Sequence, residues 1–150
     1  MERTVVTTSL KGRPRAVGKL DADDAFLALL IAAMDASGHV SAEEAARAHD
    51  IIWSMRRFRH RSGDTVGRKI ARMRTLVGTH GASPVIEAAA RHIPRRLRGA
   101  AFAVAEDLVL VDGRMERLEG RFLRQLAVNL GLERHTAKSI LDVMRLKNSA

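Results

Sequence analysis

The fold of this chain is decided by two stretches with one spacing, LVDGRMERLE at residues 110–119 and DASGHVSAEE at residues 35–44. Each has a Gly, an apolar residue two positions later and a Glu six positions after the Gly. Apolar helical patterns precede and follow both stretches. We therefore predict two copies of one helical hairpin that pack against each other with a pseudo-twofold relation.

The composition of the chain is typical of an all-helical protein. It has 150 residues, 3% aromatic residues and no Cys, so we expect one domain without disulfides or a Cys-based metal site. Helical patterns separated by short turns begin at Asp21. We predict an all-α fold, a compact bundle of about seven helices at residues 21–150. A basic, flexible tail is predicted at residues 1–20.

Helix starts are predicted from capping residues. The candidates, in chain order, are Asp21 or Asp23, Ser41 in a capping box with Glu44, Asp64, and Ser83 followed by Pro84. After Pro94 we expect one long helix at residues 95–111, then helices at 115–130 and 134–146, with a stop at Gly131 between the last two.

The sequence contains no candidate membrane segment. Its longest apolar run, residues 25–34, is too short to cross a bilayer, and residues 1–15 lack the apolar core of a secretory signal. We expect no transmembrane segment and a cytoplasmic location, which suits the absence of Cys.

Neither repeated stretch is a complete EF-hand loop. Such a loop needs oxygen ligands at positions 1, 3 and 5, Gly at position 6 and Glu at position 12. With the glycines at position 6, position 1 is Ala33 in the first copy and Leu108 in the second. A simpler explanation is a helix-terminating Gly followed by a capping box, which suits the spacing of Ser41 and Glu44 in the first copy.

The second copy places carboxylates in apolar surroundings. The helical neighbours of Glu106 and Asp107, three and four positions away, are all apolar. Such a carboxylate needs a cation, a basic side chain or a route to water. Asp112, Glu116 and Glu119 lie near the same predicted turn, and oxygen ligands suit a hard divalent cation. An Arg from the basic middle of the chain would meet the same need, and the sequence leaves both alternatives open.

The stretch FAVAEDLVLVDGRMERLEGRFLRQLAVNLGL (102–132) resembles the signature of the TerB-like family, named for tellurite resistance. The shared features are an Asp five positions before Asp-Gly, an apolar residue two positions after that Gly and a Glu six positions after it. A helix ending in LGL follows. The stretch LLIAAMDASGHVSAEEA (29–45) resembles the family's first half, except that Ser37 stands where Asp is expected. The resemblance covers roughly residues 21–150.

The resemblance implies a compact helical domain with internal pseudo-symmetry and an acidic cluster that binds a divalent metal ion. The matching residues are Asp107, Asp112, Glu116 and Glu119, with Asp35 and Glu44 from the first copy. It also implies an association with chemical stress and no catalytic activity, and the sequence has no phosphate loop or nucleophile motif. We therefore predict a non-catalytic interaction module with a protein partner. A second copy of the chain, in a homodimer, is one candidate for that partner.

Charge is distributed unevenly along the chain. The net charge is +9, but residues 21–52 carry −6 and residues 53–99 carry +10. The basic segment is an alternative site, for phosphate in nucleic acid or on an anionic membrane surface. Its candidate residues are Arg56, Arg57, Arg59, Arg61, Lys69 and Arg72. The other interpretation is a solvated face that neutralises the acidic hairpins, since few aromatic residues are available for base stacking.

Overall fold

The computed structural model describes residues 16–36, 40–110 and 117–150, without the side chains of residues 118 and 119. These residues form seven α-helices and contain no strand, which confirms the all-α prediction. The helices are α1 (Ala22–Asp35), α2 (Ala42–Ser54), α3 (Gly63–His80), α4 (Ala82–His92), α5 (Arg98–Val109), α6 (Arg117–Asn129) and α7 (Arg134–Asn148). Within the same ranges, no helix is both long enough and apolar enough to span a membrane.

Helix α1 is the centre of the bundle. Every residue from Asp23 to Met34 is buried, and α1 packs against α2, α3, α4 and α5. A helix that is apolar around its whole circumference is stable only when other elements cover all of its faces. Its alanines at positions 25, 28 and 32 are fully buried and let the neighbouring helices approach closely.

The predicted caps of the first two helices are confirmed. Asp21 caps α1, because its Oδ1 accepts a hydrogen bond from the backbone N–H of Asp24 at 2.7 Å. Ser41 caps α2 in the same way, accepting from the N–H of Glu44 at 3.1 Å. In both helices the acidic third residue bonds back to the N–H of its cap residue, which completes a capping box.

The predicted caps of the next two helices are each wrong by two residues. Ser62 caps α3 by accepting from the N–H of Thr65 at 3.2 Å, and Asp64 lies in the first turn. Helix α4 begins at Ala82, after Gly81, so Ser83 and Pro84 lie in its first turn. Gly81 has φ of 82°, a conformation that favours Gly, and this makes the sharp change of direction between α3 and α4.

The long helix predicted at residues 95–111 is interrupted near its start. Residues Arg95–Leu97 form a 3-10 turn after Pro94, and α5 begins only at Arg98. The side chain of Arg98 donates a hydrogen bond to the carbonyl of Leu130 at 3.2 Å, beside the end of α6. The predicted stop at Gly131 is confirmed, with φ of 65°.

The hairpins α1–α2 and α5–α6 contact each other, since α5 packs against both α1 and α2. Their turns fall largely on residues 37–39 and 111–116, outside the described residues. The pseudo-twofold relation and the closeness of the two turns therefore stay predictions. The predicted tail at residues 1–15 also lies outside the described residues, while Leu20 is buried in the core.

The start of α1 buries two carboxylates, and each is neutralised by basic residues of the following segment. Asp23 contacts Arg57 at 2.7 Å and Arg61 at 2.5 Å. Asp24 contacts Lys69 at 2.8 Å and Arg72 at 3.2 Å. The guanidinium of Arg57 also lies 5.0 Å from the ring centre of Phe26, so it contacts both the carboxylate of Asp23 and the face of this aromatic ring. These ion pairs fix α3 and the 55–62 connection against α1.

Replacing Asp24 with Ala should lower the free energy of unfolding by about 2 kcal/mol, because it removes a cap-box partner and leaves Lys69 and Arg72 without their shared carboxylate. Both cations reach solvent in part, which keeps the loss below that of a fully buried pair. Urea unfolding at neutral pH measures it. The matched control is Asp50→Ala, at an exposed position, with an expected change within about 0.5 kcal/mol. Equal losses for the two variants would refute the assigned importance of Asp24.

Candidate functional site

Asp107 joins three helices through one oxygen atom. Its Oδ1 accepts hydrogen bonds from Arg47 of α2 at 2.6 Å, from Lys147 of α7 at 2.8 Å and from Asn148 of α7 at 3.2 Å. Its side chain is 15% exposed. The basic side chains that meet this carboxylate come from α2 and α7, so among the described residues the Arg that the sequence left open as an alternative to a cation is Arg47, which lies before the basic middle segment.

The carboxyl group of Asp107 is held in its ionised form. Burial by itself raises its pKa, but the hydrogen bonds from Lys147, Arg47 and Asn148 outweigh burial and bring the pKa below its usual value. The resulting stabilisation is present at neutral pH and is lost as the pH falls through the lowered pKa. At neutral pH the junction of α2, α5 and α7 thus contains one carboxylate and two cations.

The other predicted metal ligands are separated or lie outside the described residues. Glu44 is engaged in the capping box of α2, and Asp35 is an exposed residue at the last position of α1. Asp112 and Glu116 are outside the described residues, as is the side chain of Glu119. In the part of the chain that the structure describes, no three His, Cys, Asp or Glu residues are grouped to hold a metal ion. The predicted cluster as a whole stays a prediction.

Most of the predicted phosphate-binding residues are engaged in ion pairs. Arg57, Arg61, Lys69 and Arg72 contact the carboxylates at the start of α1. These four therefore neutralise acidic groups within the chain, at the first turn of α1. Arg56 and Arg59 are exposed, and neither forms an ion pair with a described residue. The missed partners, Asp21, Asp23 and Asp24, were visible in the sequence as a dense acidic group before an apolar helix.

Glu106, next to Asp107, is completely buried and has no hydrogen-bond partner among the described residues on either carboxyl oxygen. Burial is the main cause that raises its pKa to about 8. The positive charge of Arg145 lowers the pKa, and the negative charge of Asp142 raises it further. Its apolar neighbours in the sequence had indicated this environment. An unsatisfied polar group of this kind destabilises a fold by about 1–3 kcal/mol.

A cavity of about 470 Å³ lies beside Glu106, between α5, α6 and α7. Helices α6 and α7 both pack against α5 but make little contact with each other, which leaves a groove with α5 as its floor. Its apolar lining includes Phe102, Leu123, Ala127, Leu132, Ala137 and Leu141. Its basic lining residues are Arg124, Arg134, Lys138 and Arg145.

The raised pKa of Glu106 predicts a stability that falls with pH. Between the ordinary pKa of 4.5 and about 8, the folded protein retains a proton that the unfolded chain releases. The free energy of unfolding should therefore fall by up to about 1.4 kcal/mol per pH unit over this range and level off above it. Glu106→Gln removes the titrating group and should flatten the profile.

Urea unfolding of metal-stripped protein between pH 5 and pH 8.5 measures this difference. Glu87→Gln is the matched control, because Glu87 is an exposed partner of Arg91 one helical turn away. Its profile should follow that of the unaltered protein. The same pH slope in the Glu106 variant would show that Glu106 is not the group responsible.

A family model described as Tellurite resistance protein TerB matches residues 23–142. The match covers 120 of the 150 residues and runs from the buried carboxylates of α1 to the middle of α7. Neither a curated protein nor a solved structure matches the chain.

Proposed function

The chain belongs to the TerB family, associated with tellurite resistance, and we propose that it is a non-catalytic cytoplasmic module that binds a divalent cation near its hairpin turns and acts through a protein partner. The observation that carries this proposal is the ionised, largely buried carboxylate of Asp107. It lies close to the end of α5, at the contact between the two hairpins. Its place in the chain matches the first Asp of the family pattern.

The residues described by the structure are compatible with a cation at this position, with one condition. All three hydrogen bonds that described residues donate to Asp107 involve Oδ1, so within that part of the chain its Oδ2 is left for another ligand. The further oxygen ligands would come from Asp112, Glu116 and Glu119, with Asp35 and Glu44 from the first hairpin. Carboxylate oxygens of this kind favour hard cations such as Ca²⁺, Mg²⁺ or Mn²⁺.

The condition is competition with the basic side chains already present. Arg47 and Lys147 neutralise Asp107, so a divalent cation must share the carboxylate with them or displace them. Like charges close together repel, and removing one basic side chain should therefore strengthen cation binding. Stronger cation binding after removal of a basic side chain would distinguish a cation site from a carboxylate with a purely structural role.

A thermal melt of metal-stripped protein should show a dose-dependent rise of the midpoint with one divalent cation, since a ligand that binds only the folded state stabilises it. Asp107→Asn should abolish the rise. Lys147→Met should make it occur at a lower cation concentration, about threefold or more, because it removes a competing charge. Titration calorimetry with the same cation measures the affinities.

Asp64→Asn is the control for charge alone, because Asp64 is exposed in the first turn of α3, a helix that supplies no partner of Asp107. It should retain the full response. If no cation among calcium, magnesium, manganese and zinc shifts the midpoint at millimolar concentration, Asp107 is only a structural ion-pair partner. Sedimentation of the protein with and without added cation tests the homodimer separately.

The alternative function is binding of phosphate groups in nucleic acid or on an anionic membrane surface. It is favoured by the exposed Arg56 and Arg59 in the connection after α2, which have no acidic partner among the described residues. The four ion-paired members of the basic segment contribute less, because their charge is already neutralised. A small number of phosphate contacts predicts weak, salt-sensitive binding.

The double variant Arg56→Ala, Arg59→Ala should weaken binding to a labelled duplex or to anionic liposomes at least about tenfold at low salt, if this alternative holds. Fluorescence anisotropy measures the first and co-sedimentation the second. The matched control replaces Arg117 and Arg121, which are exposed on α6. Undiminished binding in the first double variant contradicts the alternative.

A further inference from the structure

The groove between α6 and α7 combines features of a small-molecule site that the metal proposal does not use. Its volume of about 470 Å³ lies within the range of about 300–1,000 Å³ that is usual for such sites. Its walls are largely apolar, and the side chain of Val128 on its edge is 78% exposed. A few polar groups in a mostly apolar cavity are what fixes the orientation of a bound ligand.

The floor of the groove contains the strongest indication of a missing partner. Glu106 lines the cavity with a fully buried carboxyl group, and neither of its oxygens has a hydrogen-bond partner in the described part of the chain. A carboxyl group accepts hydrogen bonds whether it is ionised or neutral. An O–H or N–H donor on a ligand would therefore satisfy Glu106 in either state.

The directions of the helices show where the basic residues lie along the groove. Helix α7 runs in the same direction as α5, since Gly99 faces Ile140 and Asp107 bonds to Asn148. Helix α6 runs the opposite way, as the contact between Arg98 and Leu130 shows. Arg145 therefore lies at the Glu106 end, and Arg134 lies about 16 Å away along α7.

At that far end the charge is positive. Arg134 and Lys138 line the groove there, and Lys138 pairs with Asp142 at 2.8 Å, while Arg124 lies about 9 Å before Leu130 along α6 and so nearer the Glu106 end. Arg134 forms no ion pair within the described ranges. This arrangement attracts an anion and disfavours a cation.

We propose that this groove binds a small amphipathic organic acid. The apolar body of the ligand lies on Phe102, Leu123 and Leu132, its O–H or N–H group donates a hydrogen bond to Glu106, and its anionic group contacts Arg134 at the far end.

The probe is 10-hydroxydecanoate, which has a hydroxyl at one end, an apolar chain and a carboxylate at the other end. Titration calorimetry on metal-stripped full-length protein, below micelle-forming concentrations, should show saturable binding that weakens with salt. Decanoate, without the hydroxyl, should bind about 3- to 10-fold more weakly because it leaves Glu106 unpaired. 10-Aminodecan-1-ol, with a cation in place of the anion, should not bind measurably.

Three variants assign the binding to the groove. Ala137→Trp fills the cavity and should abolish binding. Arg134→Glu should weaken binding of both acids at least about tenfold at low salt. Glu106→Leu removes the unpaired carboxyl and should abolish the preference for 10-hydroxydecanoate over decanoate while leaving decanoate binding in place. Val143→Trp, on an exposed part of α7 outside the groove, is the control for folding and should bind normally.

The result that overturns the proposal is the absence of saturable binding at millimolar probe, or binding that is unchanged in Ala137→Trp. Equal affinity for the amine and the acid also overturns it. Binding of an acidic amphipathic peptide without binding of either acid would make the groove a protein-docking surface instead. These outcomes do not depend on Asp107, so the groove and the cation site can fail separately.

Discussion

The structure depends on burying α1, a helix whose first turn carries charge. The ten buried residues from Ala25 to Met34 are all apolar, but Asp23 and Asp24 are buried in the same helix and must be neutralised there. The basic side chains that do this come from residues 57–72, which explains why a strongly basic stretch follows a strongly acidic one. Part of the uneven charge along the chain thus serves to hold α1, through four of the twelve basic residues at 53–99.

Two adjacent carboxyl groups on α5 show how far environment alone can separate the chemistry of similar side chains. Asp107 faces α2 and the end of α7, where cations hold its pKa below the usual value. Glu106 faces the groove, where burial raises its pKa to about 8. One is a charged junction between helices and the other an unsatisfied group in an apolar cavity. Because the residues are consecutive, one helix presents both environments on different faces.

The sequence predicted the fold class, the number of helices and the caps of α1 and α2, because those depend on local apolar spacing and on short-range hydrogen bonds. It misplaced the start of α4 and the start of α5, where Gly81 and Pro94 set the backbone direction. It recognised that Glu106 and Asp107 needed partners but could not distinguish the two. Which basic residue reaches a carboxylate depends on helix packing across 60 residues of separation, as for Arg47 and Asp107, and no local pattern carries that information.

The central position of α1 also has a consequence for how the chain folds during synthesis. Helix α1 is made before the helices that cover it, and the last of them, α5, ends at Val109. At about 5–20 residues per second, the apolar segment waits for several seconds before its final partner exists. During that interval its ten consecutive apolar residues, 25–34, are open to wrong contacts with other chains. The arrangement that gives the finished protein its core therefore leaves that core's central segment uncovered longest while the chain is being made.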